Sequence, residues 1–178
     1  MVAQFDAEAL AGLIRAVDDF PEPGITFRDV TPLLAAPGAL GAACELMAAP
    51  HVADEITMVV GIESRGFLFG PLVAQRLGAG FAPARKAGKL PHDTVQVSYG
   101  LEYGTDVLEL HADAVTAADR ILVVDDVLAT GGTAAASFEL LRKVGAEPVA
   151  LSVLVELDSL AGRGHIAPAP VTSVVHYG

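Results

Sequence analysis

The stretch ILVVDDVLATGGT, residues 121 to 133, limits the possible folds more than any other part of the chain. Ile121 to Val124 form an uninterrupted apolar run rich in β-branched side chains, which reads as a buried strand. A loop of small residues follows, and about Thr133 to Val144 reads as a helix closed by Gly145. The same succession occurs upstream in ITMVVGIESRGFLFGPLVAQRLGAG, with a strand from Ile56 to Val60, a tight loop, and a helix from about Phe67 to Leu77 ending near Gly78. A strand that is apolar throughout has both faces buried, and a helix between strands carries the chain back to start the next one in parallel. The predicted fold class is therefore α/β, a mainly parallel central sheet with helices on both faces. Ligands of such sheets bind at the carboxyl ends of the strands, so function is sought in the loops after Val60 and Val124.

The other segments fit around that frame. DAEALAGLIRAVDDF places Leu10, Leu13, Ile14 and Val17 at helical spacing behind Asp6, an N-cap residue, and predicts an amphipathic helix. Pro21, Pro23, Gly24 and Pro32 then forbid a long helix and predict an ordered loop with a short extended piece around Ile25 to Phe27. A second helix is expected over about 38 to 49. In residues 80 to 112, ARKAGKLPHD is rich in turn formers and bases. TVQVSYGLEYGTDVLELH alternates with period two on both sides of a Gly-containing turn, which predicts a flexible hairpin. EPVALSVLVEL and VTSVV read as strands separated by the loop AGRGHIAPAP. No linker or internal repeat divides the 178 residues, and one domain over 1–178 is expected.

Charge removes several function classes. The 22 acidic and 11 basic side chains leave a formal charge of −11, which argues against general binding to nucleic acid or to anionic membrane surfaces, so a polyanionic ligand needs a local basic patch. Gly, Pro or charge interrupts every apolar stretch before the roughly 18 to 20 residues that a membrane span requires. MVAQFDAEAL lacks the basic region and apolar core of a secretory leader, and a cytoplasmic location is expected. The single cysteine, Cys44, has no intramolecular disulfide partner and reads as a buried structural thiol. His51, His92, His111, His165 and His176 lack metal-ligand spacing and read as structural or surface groups.

Asp125 and Asp126 pose a physical problem, because adjacent carboxylates repel and a partly buried one is costly unless hydrogen-bonded or neutralised. Gly131 and Gly132 allow close approach to the backbone, the N–H groups of a loop opening a helix make a concavity for an anion, and Thr130 and Thr133 add hydroxyl donors. By themselves the glycines are equally a turn and Thr133 equally a helix cap. Two carboxylates just ahead, able to accept from two neighbouring hydroxyls, make the combination suit a sugar bearing a phosphate. GIESRGF has the outer glycines of a P-loop but Phe67 in place of its lysine, and no G-x-G-x-x-G follows a strand, so neither nucleotide motif is present. Arg65 either presents a bidentate fork to a second phosphate or pairs with Glu63 at the surface. Arg85, Lys86 and Lys89 bring 3 of the 11 basic residues into one short stretch, as an anion site or as an ordinary solvated turn.

VVDDVLATGGT resembles the phosphoribosyl-pyrophosphate-binding motif of the type I phosphoribosyltransferases. FPEPGITFRD, IESRGFLFGP, RKAGKLP and YGLEYGTDVLELH resemble, in the same order, segments of the adenine-using branch of that family, over about Phe20 to Leu157. The resemblance implies purine salvage: transfer of the phosphoribosyl group of 5-phosphoribosyl 1-pyrophosphate to adenine, giving AMP and pyrophosphate. It also implies Mg2+ held mainly through pyrophosphate and ribose, with no direct protein ligand. On this basis Asp125 and Asp126 hold the ribose hydroxyls, while Ala129, Thr130, Gly131, Gly132 and Thr133 cradle the 5′-phosphate. Glu63, Ser64 and Arg65 meet the pyrophosphate, in a region where the family uses a non-proline cis peptide. Arg85, Lys86 and Lys89 neutralise it further, reaching across the interface of a homodimer. Phe27, Arg28 and Leu128 enclose adenine under a hood of about residues 1–35. Glu102 exchanges a proton with the purine ring at N7 and, with Arg65, is the expected catalytic residue. Tyr103 belongs to the lid, a flexible hairpin within about 85–112, for which Gly100 and Gly104 are the expected hinges.

Two rivals are weighed against this. Relatives using 6-oxopurines commonly carry a lysine near the end of the fold, and no lysine follows Lys143, which favours a 6-aminopurine. A regulator of the same fold that binds the donor without catalysis is expected to carry a basic face or a DNA-binding extension, against which the charge of −11 and Glu102 both count.

Overall fold

The computed structural model describes residues 5–101 and 104–178. Glu102 and Tyr103, which carry the expected acid/base and lid roles, lie outside the described residues. Helix α1 (Ala7–Ala11) starts behind Asp6, whose carboxylate accepts the Ala9 N–H at 2.8 Å, as a capping aspartate does. It stops at Gly12, well short of the expected helix, and the chain turns into β1 (Arg15–Val17). The helical periodicity is met in another way. Leu10 and Ile14 are still buried, but β-branched Val17 pairs with Phe27 in β2 (Phe27–Asp29), making a small antiparallel sheet. Pro32 sits in the first turn of the short helix α2 (Thr31–Ala35), where its missing N–H costs nothing, and α3 spans Ala39–Ala48.

The main frame follows in sequence: β3 (Met58–Ile62), α4 (Gly66–Leu77), β4 (Gly80–Lys86), the hairpin β5 (Thr94–Leu101) and β6 (Gly104–His111), β7 (Ile121–Leu128), α5 (Gly132–Lys143), β8 (Pro148–Leu157) and β9 (Val171–Tyr177). Among the described residues these form a seven-stranded sheet in the order β5-β6-β4-β3-β7-β8-β9. The β4-β3-β7-β8-β9 portion is parallel, and the hairpin adds antiparallel to β4. Strand β4 lies where turn-rich sequence was read. Its inward positions are Ala82 and Ala84, too small to register as an apolar alternation, with Pro83 between them.

Helices α3 and α4 cover one face of the sheet and α5 the other, with buried apolar clusters on each side. Cys44 is part of the first; its thiol donates to the Phe69 carbonyl, and burial pushes its pKa up to about 12, as suits a structural thiol. From β3 the chain crosses through α4 to β4 on one side, whereas from β7 it crosses through α5 to β8 on the other. The sheet therefore reverses its winding between β3 and β7, and their carboxyl ends open a crevice. Pairing of β3 with β7 ends at Gly61 and Val124, while β8 keeps β7 extended to Leu128. Asp125 and Asp126 thus belong to the strand and not to a loop after it, just beyond the point where β3 leaves. Gly66 keeps the start of α4 close to this end: a Cβ there would stand 2.7 Å from the Val124 carbonyl. Among the described residues, no helix is long and apolar enough to cross a membrane.

Candidate active site

The crevice is a cleft of about 1090 Å³, walled by the β2 region, the β3–α4 loop, the end of β4, the β7–α5 segment and the start of the tail. Helices α4 and α5 both begin here, and among the described residues no side chain caps either N-terminus; at α5 the first-turn residues Gly132 and Thr133 line the cleft, whereas at α4 the Phe67 and Leu68 N–H groups donate to the Ser64 and Arg65 carbonyls. The Glu63–Ser64 peptide between β3 and α4 is cis.

Asp125 and Asp126 both line the cleft. Burial, and then the neighbouring Asp126 charge, push the Asp125 carboxyl well above the usual carboxylate range, although the Asp126 N–H donates to it at 2.8 Å. Asp126 is 3% exposed and is neutralised by Arg65, whose Nε–H donates to it from the β3–α4 loop. Arg65 also stands 5.3 Å from the ring centre of Phe27, so it bridges the acidic pair and the β2 wall. The surface pairing of Arg65 with Glu63, one of the two readings of the sequence, does not occur.

Glu63 instead gathers the basic stretch. Its carboxylate accepts from Arg85 Nε at 3.3 Å, from the Lys86 backbone N–H at 2.9 Å and from Lys89 Nζ. Burial works against its ionisation, but these donors outweigh it and hold the carboxyl below its ordinary value. Lys86 and Lys89 line the cleft; Arg85 stands behind them through Glu63. Two further carboxylates, not picked out from the sequence, hold this stretch from β6. Glu109, 2% exposed, accepts the N–H groups of Lys89 at 3.1 Å and Leu90 at 3.3 Å and the amide of Gln96 at 3.1 Å. Asp106 pairs with Lys86 Nζ at 2.9 Å. The signal for both was present as acidic residues within an alternating strand, but alternation alone does not say which partner each meets.

On the opposite wall, Ala129, Thr130, Gly132 and Thr133 line the cleft, and Gly131 turns beneath them with φ 85° at the head of α5. Leu128 is a correction: it is 2% exposed and packs into the cluster under α5, whereas its neighbour Val127 lines the cleft. Val127 and Leu128 point to opposite faces of β7, and here the Leu128 side packs under α5. Ser64, Phe27 and Arg28 line the cleft, with Arg28 stacked at 3.8 Å over the Tyr177 ring. The tail, to which the sequence assigned no role, supports the site. Gly162 lies directly under Gly131, and Leu160 and His165 line the cleft. Arg163 ties this turn down by donating from Nε and Nη2 to the buried Glu156, which also accepts from Ser173. His51 is buried between Asp54 and Thr172, a structural role.

Known proteins resemble this chain in sequence and fold. The profile of the phosphoribosyl transferase domain matches residues 30–170. The adenine phosphoribosyltransferase of Streptomyces coelicolor is 55% identical over 162 residues, covering 91% of this chain and 89% of that protein. The crystal structure of adenine phosphoribosyltransferase from Rhodothermus marinus superposes with a TM-score of 0.90 at 50% identity, covering 96% of this chain and 98% of that one. The enzyme from Saccharomyces cerevisiae, crystallised with an imino-altritol bisphosphate and adenine, matches with a TM-score of 0.89 at 38% identity over 94% of this chain and 97% of that one.

Proposed function

Because the chain belongs to the phosphoribosyl transferase domain family, and within it to the adenine phosphoribosyltransferases, we propose that its cleft binds the phosphoribosyl donor along the β7–α5 wall with adenine at the β2 end. The reaction is purine salvage, in which adenine and 5-phosphoribosyl 1-pyrophosphate give AMP and pyrophosphate. The observation that carries the layout is the meeting, at the switch point of the sheet, of an aspartate pair, an uncapped small-residue loop and a basic stretch on the facing wall.

The 5′-phosphate sits against the N–H groups of Ala129 to Thr133 at the head of α5, with the hydroxyls of Thr130 and Thr133 beside it. Asp125 and Asp126 accept hydrogen bonds from the ribose hydroxyls, the groups that best relieve two crowded carboxylates. Anchored at both points, the ribose presents its anomeric carbon to the cleft, and positioning of this kind is worth several kcal/mol in a displacement. The pyrophosphate lies toward Ser64, Arg65, Lys86 and Lys89, where positive charge stabilises the leaving group as the bond to carbon lengthens and oxocarbenium character develops. Glu63 and Arg85 position that charge from behind. Mg2+ would be held mainly through the pyrophosphate and the ribose hydroxyls, with Asp125 and Asp126 holding those hydroxyls, and would supply further neutralisation of the pyrophosphate.

Adenine stacks against Phe27, with Val127 taking the part that the sequence assigned to Leu128, and Arg28 fixes the wall by its stacking on Tyr177. Residues 5 to about 35 form the hood over the base, residues 1–4 of the expected hood lying outside the described residues. Glu102 supplies the proton exchange with the purine ring, and the hairpin with Tyr103 closes over the reacting carbon to exclude water. The exposed apolar side chains Leu68 and Leu72, one turn apart on α4 and next to Arg65, support a homodimer in which this face is covered. A cytoplasmic location goes with this reading.

The test is an assay with purified protein, the donor and Mg2+, offering adenine, hypoxanthine and guanine in parallel. AMP from adenine alone, dependent on Mg2+, is the expected result. Equal turnover of a 6-oxopurine, or turnover unaffected by a chelator, contradicts the reading.

A further inference from the structure

Lys86 lines the cleft, yet the group that holds its ammonium comes from the hairpin. Lys86 on β4 is in register with Leu108 on β6. Successive side chains of a strand alternate between faces, so Asp106, two residues from Leu108, lies on the same face and on the diagonal to Lys86, within reach of a long side chain. The Lys86 Nζ stands 2.9 Å from Asp106 Oδ2. The same oxygen accepts the Tyr99 hydroxyl at 3.4 Å, and Tyr99 is the residue directly opposite Asp106 on β5. The other oxygen, Oδ1, accepts the Val107 N–H at 2.9 Å. The carboxylate is thus held on both oxygens. The direct hydrogen bond from Lys86 keeps the Asp106 carboxyl below its ordinary range and raises that of the ammonium, so both stay charged.

A lysine side chain loses considerable rotamer freedom when it is fixed on a ligand, and an ammonium has three donors. A carboxylate that occupies one donor and fixes the chain in advance removes much of that cost and leaves two donors for an anion. We propose that Asp106 is a positioning residue of the transfer reaction: it aims the Lys86 ammonium at the leaving pyrophosphate and makes the seat of that charge depend on the β5–β6 hairpin. The proposal rests on the reading above that Lys86 meets pyrophosphate.

The experiment is a double-mutant cycle on the full chain, with magnesium pyrophosphate as the calorimetric probe and steady-state kinetics alongside. Asp106→Asn is expected to weaken pyrophosphate binding and to raise KM for the donor roughly tenfold, as loss of one charge-assisted hydrogen bond does. KM for adenine is expected to stay unchanged, and Asp106→Glu is expected to recover most of the affinity. On a Lys86→Met background, Asp106→Asn should add nothing. If Lys86→Met weakens pyrophosphate binding while Asp106→Asn does not, or if the two losses add in full, the role of Asp106 is overturned and the pyrophosphate placement stands. If Lys86→Met itself leaves pyrophosphate binding unchanged, the placement and the inference fall together. A rise in KM for adenine equal to that for the donor, without recovery in Asp106→Glu, marks a general structural role and also overturns it.

Discussion

Arg65, in the loop that leaves β3, donates its Nε–H to the buried carboxylate of Asp126 on the adjacent strand β7. This contact joins the two strand ends at which the sheet reverses, and it neutralises one member of a carboxylate pair that is otherwise uncompensated. It also sets Arg65 against the aspartate pair proposed to hold the ribose, beyond the pyrophosphate role that the sequence suggests.

Removing the guanidinium leaves Asp126 charged and desolvated. Because the arginine is partly exposed, the cost falls below that of a fully buried pair, at about 1–2 kcal/mol in Arg65→Ala. Urea unfolding measures it, and neutralising the partner in Arg65→Ala/Asp126→Asn should return most of the loss. A double variant no more stable than the single one contradicts the pairing as the cause.

Asp125 has a raised pKa in the free protein, caused by burial and by Asp126. Hydroxyl donors favour its ionised form, so ribose 5-phosphate binding lowers that pKa and releases protons between the ordinary carboxylate range and the raised value. Affinity should strengthen as pH climbs through that window. The stability of the free protein has the opposite slope: the folded state holds the proton more tightly than the unfolded chain, so the contribution is present at low pH and is lost as pH rises through the folded pKa. Calorimetry in buffers of different ionisation enthalpy reads the released proton, and Asp125→Asn should abolish it.

Gly131 has φ 85° and packs so closely on the tail that an added Cβ would stand 2.5 Å from the Gly162 carbonyl. Gly131→Ala is therefore expected to cost about 2 kcal/mol or more through strain and overlap. It should also raise KM for the donor, because the N–H groups proposed to hold the phosphate shift with it. Thermal melting and steady-state kinetics read the two effects, and an unchanged melting temperature contradicts the packing argument.

Glu102→Gln keeps the size of the side chain and removes its proton chemistry. Turnover should fall by about 10² to 10⁴ with donor affinity nearly unchanged. Turnover like that of the parent enzyme excludes Glu102 as the acid/base.

The part of the fold most legible in the sequence is the pair of strand–loop–helix units, because apolar runs followed by helices closed by glycine leave little choice of architecture. The glycines at 131 and 132 and the aspartate pair mark the cleft from the same stretch. Elements held by small side chains were harder to see: β4 buries Ala82 and Ala84, which alternation scarcely registers. The first helix is shorter than its sequence implies, because Leu10, Ile14 and Val17 fit a helical stripe and only the pairing of Val17 with Phe27 shows the last of them to be a strand residue. Contacts between distant segments were invisible for a simpler reason. Nothing local in Asp106, Glu109 or Gly162 tells that they meet Lys86, Lys89 and Gly131, and the side on which Leu128 or Val127 falls depends on a one-residue register that β8 sets.

The most direct measurement is a crystal structure with AMP, pyrophosphate and Mg2+ bound together. The AMP phosphate is expected on the backbone of Ala129 to Thr133, both ribose hydroxyls on Asp125 and Asp126, adenine on Phe27, and pyrophosphate between Arg65 and the ammonium groups of Lys86 and Lys89. A phosphate bound away from the α5 N-terminus, or pyrophosphate out of reach of both lysines, contradicts it.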